Sequence, residues 1–196
     1  MNRIKLSLTP GLEVEFVDRE LALKKVEEWA ERSTRLPKVV FGPEGCGKTA
    51  WLRQSAVLLR ELGYHVIYVD PLHRYFEAYT DVKEVAKRLA EAAAGVLGDA
   101  GAWLATLAID LTKLLIERMK KKVAVLADDV FQAIGLGEAT KYVKALLGII
   151  EYPPRNVDAV VVVVATSEGV TRREIGRHRW AHLLPMWNLP KEGFKQ

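Results

Sequence analysis

Residues 42–49 read Gly-Pro-Glu-Gly-Cys-Gly-Lys-Thr, and this octet constrains the path of the chain on both sides of it. It has the form Gly-x-x-x-x-Gly-Lys-[Ser/Thr], a loop that needs a strand before it and a helix after it. Gly42, Gly45 and Gly47 allow positive φ and close approach of the backbone to a ligand. Successive N–H groups then form an anion nest, backed by the positive end of the following helix. Lys48 is long enough to reach β- and γ-phosphates, and the Thr49 hydroxyl suits Mg²⁺. The flanks supply the context. Residues 38–41, Lys-Val-Val-Phe, read as a short buried strand, and residues 50–60 as a helix. A Gly-rich turn between unrelated elements is the alternative, and these flanks argue against it. Gly42, Pro43, Glu44, Gly45, Cys46, Gly47, Lys48, Thr49 and Ala50 are therefore the candidate nucleotide-binding residues.

The chain has 196 residues, enough for one α/β domain with a sizeable core. Hydrophobic residues make up 49%, which excludes a disordered chain. The longest apolar run, 160–165, is strand-sized, so no membrane span is expected. The N-terminus has charges but no apolar h-region, so a signal peptide is not expected. Cys46 is the single cysteine and rules out an internal disulfide; a reducing cytoplasm is the natural compartment. The net charge of +4 permits nucleic-acid contact without demanding it. Asn and Gln are scarce beside many Lys, Arg and Glu, which hints at a thermophilic source.

Strands and helices alternate. Leu21, Leu23, Val26, Trp29 and Ala30 fall at near-helical spacing, and Leu36-Pro37 ends that helix. Residues 65–71 form a second strand closed by proline. Asp81 caps an expected helix with Val82, Val85, Ala86, Leu89, Ala93 and Val96 on one face. A further helix is expected from Asp99, with Leu104, Leu107, Leu111, Leu114 and Leu115 inward. Residues 123–127 form a third strand, about 138–151 a helix, 160–165 a fourth strand, and 183–189 a last one. The central strands are apolar throughout, the mark of a parallel sheet covered on both faces.

The third strand runs directly into Asp128-Asp129. Ligands of parallel α/β sheets bind outside the carboxyl ends of the strands. Asp128 there would hold Mg²⁺, usually through water, alongside Thr49, and Asp129 would orient the attacking water. A helix N-cap with a solvated neighbour is the alternative. Asp129 is one methylene shorter than the Glu more usual at this position. Thr166 and Ser167 end the fourth strand; a hydroxyl there either meets the γ-phosphate or the water, or caps the next helix. Arg172, Arg173, Arg177 and Arg179 precede the last strand. Arg177 is the first choice for an arginine finger, in cis or from a neighbouring subunit; a solvated basic face is the alternative. Cys46 fits as a small loop residue better than as a catalytic thiol. Tyr75, Phe76 and Tyr79 read as local packing rather than a base-stacking platform. The candidate catalytic set is thus Lys48, Asp128, Asp129, Thr166 and Arg177, with Thr49 and Asp128 as metal ligands.

This constellation resembles the archaeal ATPases of the STAND group, relatives of AAA+ proteins, over nearly the whole chain. Phe16-Val17-Asp18-Arg19-Glu20 looks like the N-terminal Phe-x-x-Arg-Glu box; residues 42–49 match Walker A and 123–129 match Walker B. Thr166-Ser167-Glu168 stands at the sensor position, and Gly176-Arg177 resembles the Gly-Arg step before the last strand. The resemblance implies a three-layer α/β P-loop NTPase. Its sheet would have five parallel strands in the order 5-1-4-3-2, with helices on both faces. It also implies ATP and Mg²⁺ as cofactors, with Arg19 in the box that passes near the adenine. Members of the group usually continue into a helical lid and a winged-helix domain; residues 1–196 are expected to be a single ATPase domain without either.

Four functions fit the residues. The first is Mg²⁺-dependent ATP hydrolysis by an AAA+-like core, coupled to conformational switching or to a nucleic-acid or assembly process. The others are a slow nucleotide-dependent switch, a DNA-associated motor or repair ATPase, and a phosphotransferase. The paired Asp128-Asp129 favours hydrolysis over the last. No guanine-specific Asn/Thr-Lys-x-Asp box is present, which points to ATP and ADP as ligands. DNA through residues 172–179 and a homo-oligomer are the other expected partners, and no membrane.

Overall fold

The computed structural model describes residues 3–9, 12–16, 19–85, 87–88, 100–118, 121–153, 157–167 and 169–187. In chain order the elements are β1 (Lys5–Thr9), β2 (Leu12–Glu15), α1 (Glu20–Arg32), β3 (Lys38–Phe41) and α2 (Lys48–Glu61). Then come β4 (His65–Asp70), β5 (Tyr75–Tyr79), α3 (Ala100–Glu117), β6 (Lys122–Asp128) and α4 (Val130–Ile134). The chain finishes with α5 (Leu136–Glu151), β7 (Ala159–Thr166), α6 (Gly169–His178) and β8 (His182–Pro185). Residues 83–85 and 87–88 are helical. Ala86, Leu89, Ala93, Val96 and Asp99 of the expected helices lie outside the described residues, as do Val17, Asp18, Glu168 and Leu189.

The main sheet has six strands in the order β5-β4-β6-β7-β3-β8. β8, β3, β7, β6 and β4 run parallel to one another. β5 pairs antiparallel with β4. The expectation of five all-parallel strands is therefore corrected to a mixed six-stranded sheet. Numbered among themselves, the parallel strands stand 5-1-4-3-2, and the extra strand lies beyond strand 2. The reason is the connection. Only four residues separate β4 from β5, too few for a crossover, so the chain turns back as a hairpin. Asp70 closes that turn by accepting hydrogen bonds from His73 N (3.0 Å) and His73 Nδ1 (2.9 Å). A second, two-stranded antiparallel sheet, β1-β2, was also not expected. Its base is tied to α2, where Ile4 N donates to Gln54 Oε1 at 2.8 Å.

Alternation along the strands divides the core in two. Val39, Ile67, Val125 and Val162 face α3, α4, α5 and α6. Val40, Tyr68, Leu126 and Val163 face α1 and α2. β7 is buried along its whole length, so each residue packs one face or the other, and each buried valine contributes roughly 1.5–3 kcal/mol. The same parity fixes the site. Ala124 and Leu126 point to the α2 side, and so does Asp128 two residues on. Tyr68 is in register with Leu126 on the neighbouring strand, which sets it diagonally beside Asp128 on that face.

Candidate functional site

Phe41 ends β3, and Lys48 begins α2. The turn between them has Gly45 at φ 75° and Gly47 at φ 88°, the left-handed region that glycine enters without strain. Gly42 is required for another reason. A Cβ there would lie 1.9 Å from the Met186 carbonyl oxygen. The segment after β8 thus lies directly against the loop, with Met186 N donating to Phe41 O at 2.8 Å. Lys48 Nζ donates to the loop's own carbonyls, Gly42 O at 2.9 Å and Pro43 O at 2.8 Å. Cys46 is buried, 3.8 Å from Lys48 Nζ and 3.5 Å from Met186 O. It is a packed thiol rather than an exposed nucleophile.

Arg19 joins three segments. One Nη2 donates to Cys46 O at 2.6 Å and to Trp187 O at 2.8 Å. The arginine therefore fastens the loop's outer carbonyl to the segment after β8.

Asp128 ends β6 and is fully buried. Its Oδ2 accepts a hydrogen bond from Tyr68 Oη at 3.0 Å. Its Oδ1 has no hydrogen-bond partner. Burial pushes the carboxyl up to about 6, and Asp129 and Asp70 push the same way. The nearby Thr49 hydroxyl and Tyr68 pull it down. A buried acceptor left open beside a hydroxyl is unusual, because such groups are nearly always satisfied. One carboxylate oxygen and one hydroxyl are also the protein donors that Mg²⁺ takes when phosphates and water complete its shell. The residues present fit that ion.

Asp129 is at φ 43° and ψ 27°, and its N–H donates to Ala165 O at 3.0 Å. The left-handed turn swings its carboxylate away from Asp128 and toward the tip of β7. There Oδ1 accepts from Ser167 N (3.2 Å) and Ser167 Oγ (3.3 Å). Asp129 precedes α4 without a side-chain cap bond. Thr166 is buried and in register with Phe41, the residue just before the loop.

Arg177 lies elsewhere. α6 leaves the tip of β7 and returns to the start of β8, where His182 is in register with Lys38, the first residue of β3. The loop follows the last residue of β3, so the helix carries Arg177 to the opposite edge of the sheet. It is exposed there and donates to Glu174 Oε1 at 3.0 Å. The geometry brings together Arg19, residues 42–50, Asp128, Asp129 and Thr166, and does not bring Arg177 to them.

Sequence reading missed Tyr68, Asp70 and Met186. Asp70 had a legible signal: it is a carboxylate at the tip of the strand beside β6. Tyr68 and Met186 had none, since one acts through a side-chain hydroxyl two strand positions away and the other through its backbone. The Tyr75 and Tyr79 pair does pack locally. Both hydroxyls donate to Glu77 Oε2, Tyr75 at 2.6 Å.

A glycine loop between a parallel strand and a helix, with a buried carboxylate at a neighbouring strand tip, defines a P-loop nucleotide-binding α/β domain. Residues 16–196 match the family described as an ATPase domain predominantly from Archaea, and the chain belongs to that family. It is an ATPase. No curated protein sequence matches it. Among solved structures it is similar to the Aeropyrum pernix ORC2 protein in its ADPNP–ADP complexes. There the identity is 13%, the alignment covers 88% of this chain and 48% of that one, and the TM-score is 0.51. AMPPCP-bound DnaA from Aquifex aeolicus matches at 19% identity, covering 86% and 46%, with a TM-score of 0.46. C. elegans PCH-2 matches at 16% identity, covering 85% and 41%, with a TM-score of 0.47. The chain spans about half the length of these structures or less. Among the described residues, no helix is long and apolar enough to cross a membrane.

Proposed function

We propose that this domain binds ATP on residues 42–50 and hydrolyses it with Mg²⁺ held by Asp128 and Thr49. The observation that carries the reading is the open, buried Oδ1 of Asp128 beside the Thr49 hydroxyl. The backbone N–H groups of the glycine turn would cradle the phosphates. Lys48 would exchange its two loop carbonyls for phosphate oxygens. Mg²⁺ supplies charge neutralisation across the phosphates. Asp129, anchored by Ser167 N–H and hydroxyl, presents its other oxygen to the attacking water. Thr166 borders the loop from β7, where its hydroxyl would meet the γ-phosphate or the attacking water. Catalysis is then positioning and electrostatics, with no covalent intermediate. Steady-state phosphate release from ATP with Mg²⁺, beside Lys48→Ala, tests this. Turnover lost in the variant is the expected result; turnover retained would remove Lys48 from the site.

A second reading, a slow nucleotide-dependent switch, is favoured by Lys48 being engaged with its own loop and Asp129 with Ser167. Turnover well below one per minute, with nucleotide-dependent assembly in light scattering, would distinguish it. For a nucleic-acid partner the supporting observation is the exposure of Arg173, Arg177 and Arg179 near the end of α6. Salt-dependent retention of DNA is the test. Arg177 would serve as a finger only toward a neighbouring subunit, since α6 carries it away from its own loop.

A further inference from the structure

We propose that Tyr68 is the positioning residue of the metal carboxylate, holding Asp128 so that Oδ1 alone is offered to the ion. The inference rests on the reading of Asp128 as a Mg²⁺ ligand. A free carboxylate rotates about its last torsion and presents either oxygen, or both. Mg²⁺ demands near-ideal octahedral geometry and tolerates such freedom poorly. Here one oxygen is fixed: Tyr68 Oη donates to Oδ2 at 3.0 Å, and Oδ1 is left without a partner.

The tyrosine itself is held on all sides. It is 1% exposed and lies in β4, whose register with β6 is continuous over five residue pairs. Its ring meets Tyr75 edge-on, with centroids 5.7 Å apart and planes at 77°. Tyr75 is fixed in turn by its hydrogen bond to Glu77 at 2.6 Å and by the Arg53 guanidinium, 5.3 Å from its ring centre. Arg53 stands one turn of α2 beyond Thr49, so the helix that carries Thr49 also reaches the aromatic pair. The hairpin strand β5, absent from a purely parallel sheet, is what places Tyr75 there. Partners in the outer shell of this kind orient the ligand and tune its affinity for the ion.

The test uses the full chain and a fluorescent ATP analogue titrated with and without Mg²⁺, which reads binding rather than turnover. Tyr68→Phe deletes only the hydroxyl. Expected is unchanged binding in chelator, with the Mg²⁺ concentration needed for tightening raised about 10- to 100-fold. Asp128→Asn, run beside it, should shift the same midpoint at least as far. An unchanged midpoint in Tyr68→Phe, with a shifted one in Asp128→Asn, overturns the positioning role and leaves the site reading standing. Unchanged midpoints in both overturn the site reading and this inference with it. If Tyr68→Phe does not fold by circular dichroism, Tyr75→Leu removes the buttress from a partly exposed position. It should shift the midpoint in the same direction by a smaller factor, and no shift there also overturns the proposal.

Discussion

Asp128 holds its charge at a cost. Its carboxyl titrates at about 6 in the fold, against an ordinary value of 3.8. Between those values the folded protein binds more protons than the unfolded chain, so stability falls as pH rises through that window. Below about 4 the penalty is absent, and above about 6 it is complete, on the order of 3 kcal/mol. Metal-free Asp128→Asn should therefore melt above the wild type at pH 7.5 and close to it at pH 4, by calorimetry at both values. Two glycines give a contrast at the same scale. Gly42→Ala drives a Cβ into the Met186 backbone and should cost about 1–3 kcal/mol. At Gly45 nothing lies within 4 Å and only the positive φ matters, so Gly45→Asn should cost less than about 1 kcal/mol. Chemical denaturation of the two variants checks the order.

At the scale of elements, the turn between α1 and β3 shows how the central strand is finished. Thr34 is fully buried, and its Oγ1 accepts from Val162 N at 2.9 Å, just before β3 begins to pair with β7. Thr34→Val keeps the shape and strands a buried N–H, so a loss of about 1–3 kcal/mol in a denaturant midpoint is expected. This contact also shows what a sequence conceals. The central parallel strands were legible because each is an apolar run with a loop, a carboxylate or a hydroxyl at its tip, as in Val-Ala-Val-Leu-Ala-Asp. The loop was legible because its glycines and lysine have few other uses. β5 was not, because Tyr-Phe-Glu-Ala-Tyr mixes exposed and half-buried residues and looks like packing. Nor was the position of Arg177. Its spacing from the last strand is the same whether the intervening residues loop over the site or, as they do, form a helix leading away. Thr34, Tyr68 and Met186 act across strands, and pairing across strands is not written in neighbouring residues.

For the molecule as a whole, the fastening of the loop by Arg19 sets an order of assembly. Arg19 and Trp187 are 168 residues apart, and one guanidinium joins them across the Cys46 carbonyl. The Gly42 backbone is closed by Met186, which arrives only with β8. Contacts this distant form late, after the entropy of the long intervening loop has been met. In refolding followed with a fluorescent ATP analogue, binding competence should therefore appear with the final phase, whereas α1 and α2 should gain helicity earlier. A binding signal in the dead time would show that the loop forms without its C-terminal partner. The same order applies during synthesis. A nascent chain would emerge from the ribosome with its glycine loop made but not shaped, unable to take nucleotide until β8 follows. The domain would acquire its chemistry in one late step, when the fold that governs that chemistry is already in place.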